Sequence, residues 1–203
     1  MCIISVKPAG TTLPSSKTFA TMWANNPHGA GYMWAQDGRV HIRKGFMDYD
    51  AFMADLCHTM RKVDATEVPM IFHFRIATHG GIAPSRCHPF PLSPRVKDLE
   101  ALKITTDVGI AHNGIIDIDP EDELSDTMEY IRSELTVIHG CEHGFSRRAL
   151  SMIRGDIGYS RLAILTGEGR VYLIGHFCKD GQIFYSNGGF EPLHMTPRNV
   201  KMH

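Results

Sequence analysis

His73-Phe74-Arg75-Ile76-Ala77-Thr78-His79-Gly80 closes the most strand-like apolar run of the chain, which begins at Pro69 and extends to Ala77. Side chains alternate across a strand, so His73, Arg75 and Ala77 share one face and Phe74, Ile76 and Thr78 the other. The run therefore delivers an arginine and a histidine to its C-terminal end, where Gly80-Gly81 breaks it. An arginine placed there can grip a substrate carboxylate through paired N–H donors, or it can pair with a structural carboxylate. The segment alone favours neither.

Upstream, Cys2 to Val6 is short, apolar and β-branched and reads as a buried strand, and Pro8 to Ser16 reads as a loop. Lys17 to Asn25 reads as a short helix with Phe19, Met22 and Trp23 on one side, broken at Asn26-Pro27-His28-Gly29. Gly31 to Trp34 and Arg39 to Lys44 form two strands joined at Asp37-Gly38, a strong hairpin signal. Asp48 or Asp50 caps a helix to about Val63, with Phe52, Leu56, Met60 and Val63 at helical spacing.

Downstream, His79 to Thr105 carries four prolines and no periodicity, so it reads as a long loop of the kind that often serves function. Val108 to Ala111 is a second apolar strand, ending at Asn113-Gly114. Ser125 caps a helix through about Ile138 with Met128, Ile131 and Leu135 inward, and a shorter helix spans Phe145 to Ile153. Leu162 to Thr166, Val171 to Gly175 and Ile183 to Tyr185 are the closing strands, turned at Gly167 and Gly169 and at Asp180-Gly181. Hairpins mixed with helices predict an α+β domain. No repeat or linker divides residues 1–203, so one domain is expected.

Composition narrows the function. The 203 residues are 43% apolar and 21% charged, with a formal charge of -1. That excludes a polybasic chain held to nucleic acid by its overall charge. No apolar stretch is long enough for a transmembrane helix, and the N-terminus lacks the basic and apolar regions of a signal peptide. A cytoplasmic protein with no membrane association is the expectation. Five scattered cysteines, Cys2, Cys57, Cys87, Cys141 and Cys178, do not resemble a disulfide framework. No phosphate-cradling glycine motif follows a strand. His139-x-Cys141-x-His143 places three metal-binding residue types close together without a matching fourth, which favours a polar helix connection.

Three further segments carry chemistry. Cys2 follows the initiator methionine, whose removal is expected before so small a residue. The freed α-amine, with a pKa of about 7.7–8.0, can then act as base toward its own thiol. Asn113-Gly114 can present a side-chain amide beside a backbone N–H, a suitable oxyanion hole, although Asn-Gly is also the commonest hairpin turn. Asp126, after the Ser125 cap, is a favourable first-turn acid or a partner for a substrate ammonium.

Taken together, Met1-Cys2, His73 to Gly80, His88-Pro89-Phe90, Ala111 to Ile115 and Ser125 to Thr127 resemble the class II glutamine amidotransferases. The glutaminase domain of that family is an N-terminal-nucleophile hydrolase. The octapeptide looks like the corresponding stretch of glucosamine-6-phosphate synthases, and Gly29 to Trp34 and Tyr185-Ser186-Asn187 are weaker echoes. The resemblance implies a four-layer αββα sandwich and hydrolysis of L-glutamine through a cysteine thioester. It implies Cys2 as nucleophile and its α-amine as base, and Asn113 and Gly114 as oxyanion hole. It implies Arg75 on the α-carboxylate of glutamine, Thr78 and His79 shaping the pocket, and Asp126 on the α-ammonium. No cofactor or metal is implied.

The sequence departs from the family at Ile3, where a glycine is usual, and in a short stretch between Gly114 and Ser125. No synthase domain follows, so a separate ammonia-accepting synthase is the expected partner. Two other readings stay open: an N-terminal-cysteine amidase for a different amide, and a non-catalytic assembly module.

Overall fold

The structure, a computed structural model, describes residues 1–77, 81–121 and 124–192. It is a mixed α+β fold built on two antiparallel sheets. The larger sheet contains β1 (Ile3–Lys7), β2 (Ala30–Gln36), β3 (Arg39–Phe46), β4 (Met70–Phe74), β6 (Lys103–Thr106), β10 (Cys178–Asp180) and β11 (Ile183–Tyr185). Its order is β10-β11-β1-β4-β2-β3-β6. The smaller has β5 (Phe90–Pro91), β7 (Val108–Asn113), β8 (Arg161–Thr166) and β9 (Val171–Ile174), in the order β5-β7-β8-β9. Among the described residues, no helix is long and apolar enough to cross a membrane.

Alternation along the strands decides what each face meets. On the outer face of the larger sheet, Tyr32, Phe72 and Phe74 lie under α1 (Ser16–Asn25) and α2 (Tyr49–Met60), packed against Phe19, Met22, Phe52 and Leu56. Phe19 meets Phe72 edge-on at 4.9 Å between ring centres. Each such fully buried side chain contributes about 1.5–3 kcal/mol. The other face carries Ile4, Val6, Met33, Ile42 and Ile71 onto Ala111, Ala163 and Leu165 of the smaller sheet. Small residues let the sheets close up there: a Cβ on Gly109 would lie 2.3 Å from Met33 Sδ. The far face of the smaller sheet, with Ile110, Leu162 and Ile164, packs against Met128, Ile131, Leu135 and Ile153. Those come from α4 (Asp126–Tyr130), the π turn that follows it, and α6 (Arg147–Asp156).

Caps and turns match the local signals. Ser15, Asp48, Ser125 and Ser146 each accept a backbone N–H in the first turn of the helix they precede. Asp37 and Gly38 take φ of 52° and 73°, the left-handed pair that a two-residue hairpin needs.

Four expectations need correction. The strand from Pro69 ends at Phe74, and Arg75 N–H turns aside to donate to Gly29 O at 2.8 Å. The proline-rich stretch is not one loop: it holds a 3-10 turn (Pro84–Arg86), β5, α3 (Val96–Glu100) and β6. Each piece is too short to show a period. Lys44 holds them together, its buried ammonium donating to Ser85 O at 2.7 Å and Leu99 O at 2.5 Å and lying 3.9 Å from the Phe90 ring centre. Burial pulls the Lys44 pKa down to about 7. The helix capped by Ser125 contains a π turn, Ile131–Leu135, before α5 (Thr136–Cys141). Finally, Asp180-Gly181 joins β10 to β11, because β9 belongs to the other sheet.

Candidate functional site

Strand pairing assembles the site from residues far apart in sequence. β1 runs antiparallel to β4, with Ile3 opposite Phe74, so Cys2 at the mouth of β1 meets the chain just past Arg75. Cys2 Sγ lies 3.4 Å from Ile76 N, which donates to it, and 3.5 Å from Ile76 O, to which it donates. β11 flanks β1 on its other side, and beyond Tyr185 the Asn187 amide donates to Cys2 O at 2.7 Å. The chain around Cys2 is therefore held from both neighbours.

Cys2 lies in the wall of two cavities. The larger, about 630 Å³, is also lined by Arg75, His88, His112, Gly114, Ser125 and Asp126. The smaller, about 430 Å³, is lined by Met1, Asn113, Gly114, Asp156, Tyr159 and Arg161 among others. Of the other cysteines, Cys57 and Cys141 are exposed, Cys87 is buried and Cys178 half-buried, and none lines either cavity.

Arg75 is buried, and its Nη2 donates to Gly81 O at 3.0 Å. Its Nη1 is buried and, among the described residues, has no partner. Among the described residues no carboxylate pairs with it, so the structural ion pair is not made. One half of the guanidinium is anchored by a carbonyl, and leaving the other half buried without an acceptor is costly. Asp126 sits at the start of α4 and is organised by donors: Ile116 N at 2.9 Å on Oδ2 and Thr127 N at 2.7 Å on Oδ1. It thus ties the segment after Gly114 to the helix start while facing the larger cavity.

Asn113-Gly114 is not a hairpin turn. β7 pairs with β8, with Asn113 opposite Arg161, and the chain beyond Gly114 passes into the cavity wall. Gly114 has φ of 148°, and a Cβ there would fall 2.1 Å from Ser160 Oγ. That hydroxyl accepts from Ile115 N at 3.1 Å and donates to Ile115 O at 2.9 Å, so it cannot easily retreat. Gly114→Ala is expected to destabilise the fold by about 1–3 kcal/mol, read as a lower urea midpoint. An unchanged midpoint would refute the tight fit.

Three buried histidines back the site. His73 Nε2 donates to His112 O at 3.1 Å, and the His73 and His88 rings stack at 4.3 Å. His112 Nδ1 lies 2.9 Å from Thr127 Oγ1, which donates on to Asp126 Oδ1 at 3.3 Å. The carboxylate end of that chain places the His112 proton on Nδ1. Burial pulls His73 down to about 3, His112 to about 4 and His88 well below its ordinary value. All three are neutral at pH 7, and bases this weak suit general-base work poorly. Burial pushes the Cys2 thiol up, while the Ile76 N–H and the Arg75 charge offset part of the rise. Burial thus favours the neutral thiol over the thiolate at Cys2.

Thr78 and His79, the remaining expected pocket residues, lie outside the described residues. Sequence reasoning left out Ser186, whose hydroxyl accepts from Asn113 Nδ2, and Ser160, which fits against Gly114. It also left out Asn187 and His28, the latter accepting from Ala77 N at 3.0 Å. Serine and asparagine after a strand look like ordinary turn residues, so only the echo at Tyr185-Ser186-Asn187 pointed there. Among the described residues no group of three His, Cys, Asp or Glu could hold a metal, and His139 packs on Phe145. The chain matches no protein-family model, and no curated protein matches it.

Proposed function

We propose that the chain hydrolyses the side-chain amide of L-glutamine through Cys2, in the manner of a class II glutamine amidotransferase. The observation that carries this reading is the larger cavity, whose wall holds the Cys2 thiol, the Arg75 guanidinium and the Asp126 carboxylate together. A cation and an anion beside a nucleophile suit a zwitterionic amino acid bearing a reactive amide. The two stacked sheets with helices on their outer faces support the four-layer αββα sandwich of N-terminal-nucleophile hydrolases.

The chemistry follows from these groups. After loss of Met1 the Cys2 α-amine takes the thiol proton, and the sulfur attacks the amide carbon. The Asn113 amide and the Gly114 N–H stabilise the tetrahedral oxyanion. The C–N bond breaks, and ammonia leaves with the proton returned by the amine. Water, deprotonated by the same amine, attacks the thioester, and glutamate and free Cys2 result. The ammonia passes to a separate synthase.

The test compares glutamine with simple amides in wild type, Arg75→Lys and Asp126→Asn. Lysine keeps the charge of Arg75 but lacks its planar fork. A bond to a charged group contributes roughly 1.5–3 kcal/mol, so each change should weaken glutamine use at least about tenfold. Simple amides should be indifferent. Equal turnover of simple amides, with neither substitution discriminating, would replace glutamine by a general amide. The apolar wall of Ile116, Ile118 and Leu124 favours that second reading to the extent that a bulkier amide is preferred.

A further inference from the structure

We propose that Ser186 is a positioning residue that aims the Asn113 side-chain amide at the reacting carbonyl; this rests on the glutamine-hydrolysis reading above. Ser186 lies just past the end of β11, the strand that flanks β1, and both Ser186 and Asn113 are 1% exposed. Asn113 Nδ2 donates to Ser186 Oγ at 2.8 Å. Asn113 Oδ1 is buried without a partner, so the Ser186 hydroxyl is the one anchor of that amide among the described residues. The NH2 group is planar, with its two protons fixed relative to each other. Holding one proton on Ser186 therefore sets the direction of the second, the proton available to an oxyanion.

The anchor is itself tied to the nucleophile strand. Ser186 Oγ accepts from Ile4 N at 2.9 Å, and Ser186 N donates to Ile4 O at 3.0 Å. The next residue, Asn187, donates to Cys2 O. Two consecutive residues thus set the nucleophile and the oxyanion donor against each other. Two sheets meet here: Asn113 ends a strand of the smaller sheet, and Cys2 opens one of the larger. The Ser186–Asn113 bond crosses between them at the site.

The experiment is a double-mutant cycle on the full chain with Ser186→Ala, Asn113→Ala and the pair, each assayed for ammonia release from glutamine. Ser186→Ala should lower kcat by about 10- to 100-fold, since a misdirected group about 1 Å out of place costs on the order of 10². KM should stay unchanged. Alkylation of Cys2 by iodoacetamide, which builds no oxyanion, should also stay unchanged. In the Asn113→Ala background Ser186→Ala should add nothing, because the group it aims is gone. Ser186→Thr, which keeps the hydroxyl, should recover most of the rate. Ser186→Cys, a weaker partner of similar size, should fall between if alanine fails to fold. An unchanged kcat, losses that multiply in the double variant, or a matching loss of iodoacetamide reactivity would each overturn the proposal. If wild type releases no ammonia, the glutamine reading falls, and proton exchange of the Asn113 side-chain amide by NMR then decides. Faster exchange in Ser186→Ala would uphold the anchor, and unchanged exchange would overturn it.

Discussion

Cys2→Ala should abolish ammonia release from glutamine, and Cys2→Ser should lower it by on the order of 10⁴ or more. In the proposed reaction the sulfur supplies the covalent step, and Asn113 and Gly114 alone cannot replace it. A glutamine-analogue diazo-ketone should add its mass to Cys2 only. Labelling of Cys57, Cys87, Cys141 or Cys178 would overturn the assignment. Chains that keep Met1 should be inactive, since the lone pair of an acylated nitrogen is delocalised into the carbonyl and cannot act as base. Met1 is 69% exposed and open to processing, so the mass of the purified protein and its activity should vary together. The same base sets the pH profile. The amine works only after losing its proton, so kcat/KM should climb with pH through about 7.7–8.0. An inflection near the depressed histidine values would move the base to His73 or His112. Full activity with Met1 retained would favour a different mechanism altogether.

The fold should lose stability steeply in acid. His73, His88 and His112 titrate in the folded chain far below the ordinary histidine value of 6.5, chiefly because burial disfavours the charged ring. Neighbouring positive groups, Arg75 at His73 and His88 and Lys44 at His88, push the same way, and Asp126 opposes them at His112. Below 6.5 the unfolded chain binds protons that the folded chain refuses. Stability is therefore complete above 6.5 and falls with pH until the folded values are reached. Each histidine contributes a slope of about 1.4 kcal/mol per pH unit in that window. The three together should remove about 6 kcal/mol between neutrality and pH 5, a large part of a typical 5–15 kcal/mol. Urea midpoints measured from pH 7.5 to 5 should show this. Among the described residues His88 has no hydrogen-bond partner on either ring nitrogen, so His88→Phe removes a titration without breaking a bond there and should flatten the slope by about a third. An identical slope in His88→Phe would show that the acid sensitivity arises elsewhere.

Much of the site can be read locally. The β-branched run after Cys2, the apolar strand before Arg75 and the Ser125 cap before Asp126 each follow from a few adjacent residues. So does the hairpin at Asp37-Gly38, where both residues must take positive φ. Short-range sterics and periodicity act over one turn or one pleat, and that information is complete within the segment. The short pieces between Pro84 and Thr106 escaped because none spans a full period, and because the Lys44 ammonium that holds them lies on a distant strand.

By itself the sequence determined the apolar strand that runs up to Arg75, the one that ends in Asn113, the helix that begins at Asp126, and the presence of a cysteine directly after Met1. Only the tertiary structure decided that these ends meet. Asn113-Gly114 is a local hairpin signal, yet β7 finds its partner in β8, and the glycine is required by the Ser160 hydroxyl beside it. Arg75 could have met a structural carboxylate; among the described residues the packing leaves one of its nitrogens unpaired, and the residue lines the larger cavity. Ser186 and Asn187 gain their place only because β11 lies against β1. The physical reason is common to all three. Backbone preference is set by neighbours in sequence, whereas the partner of a strand edge, a buried charge or a hydroxyl is set by whichever surfaces bury the most apolar area together.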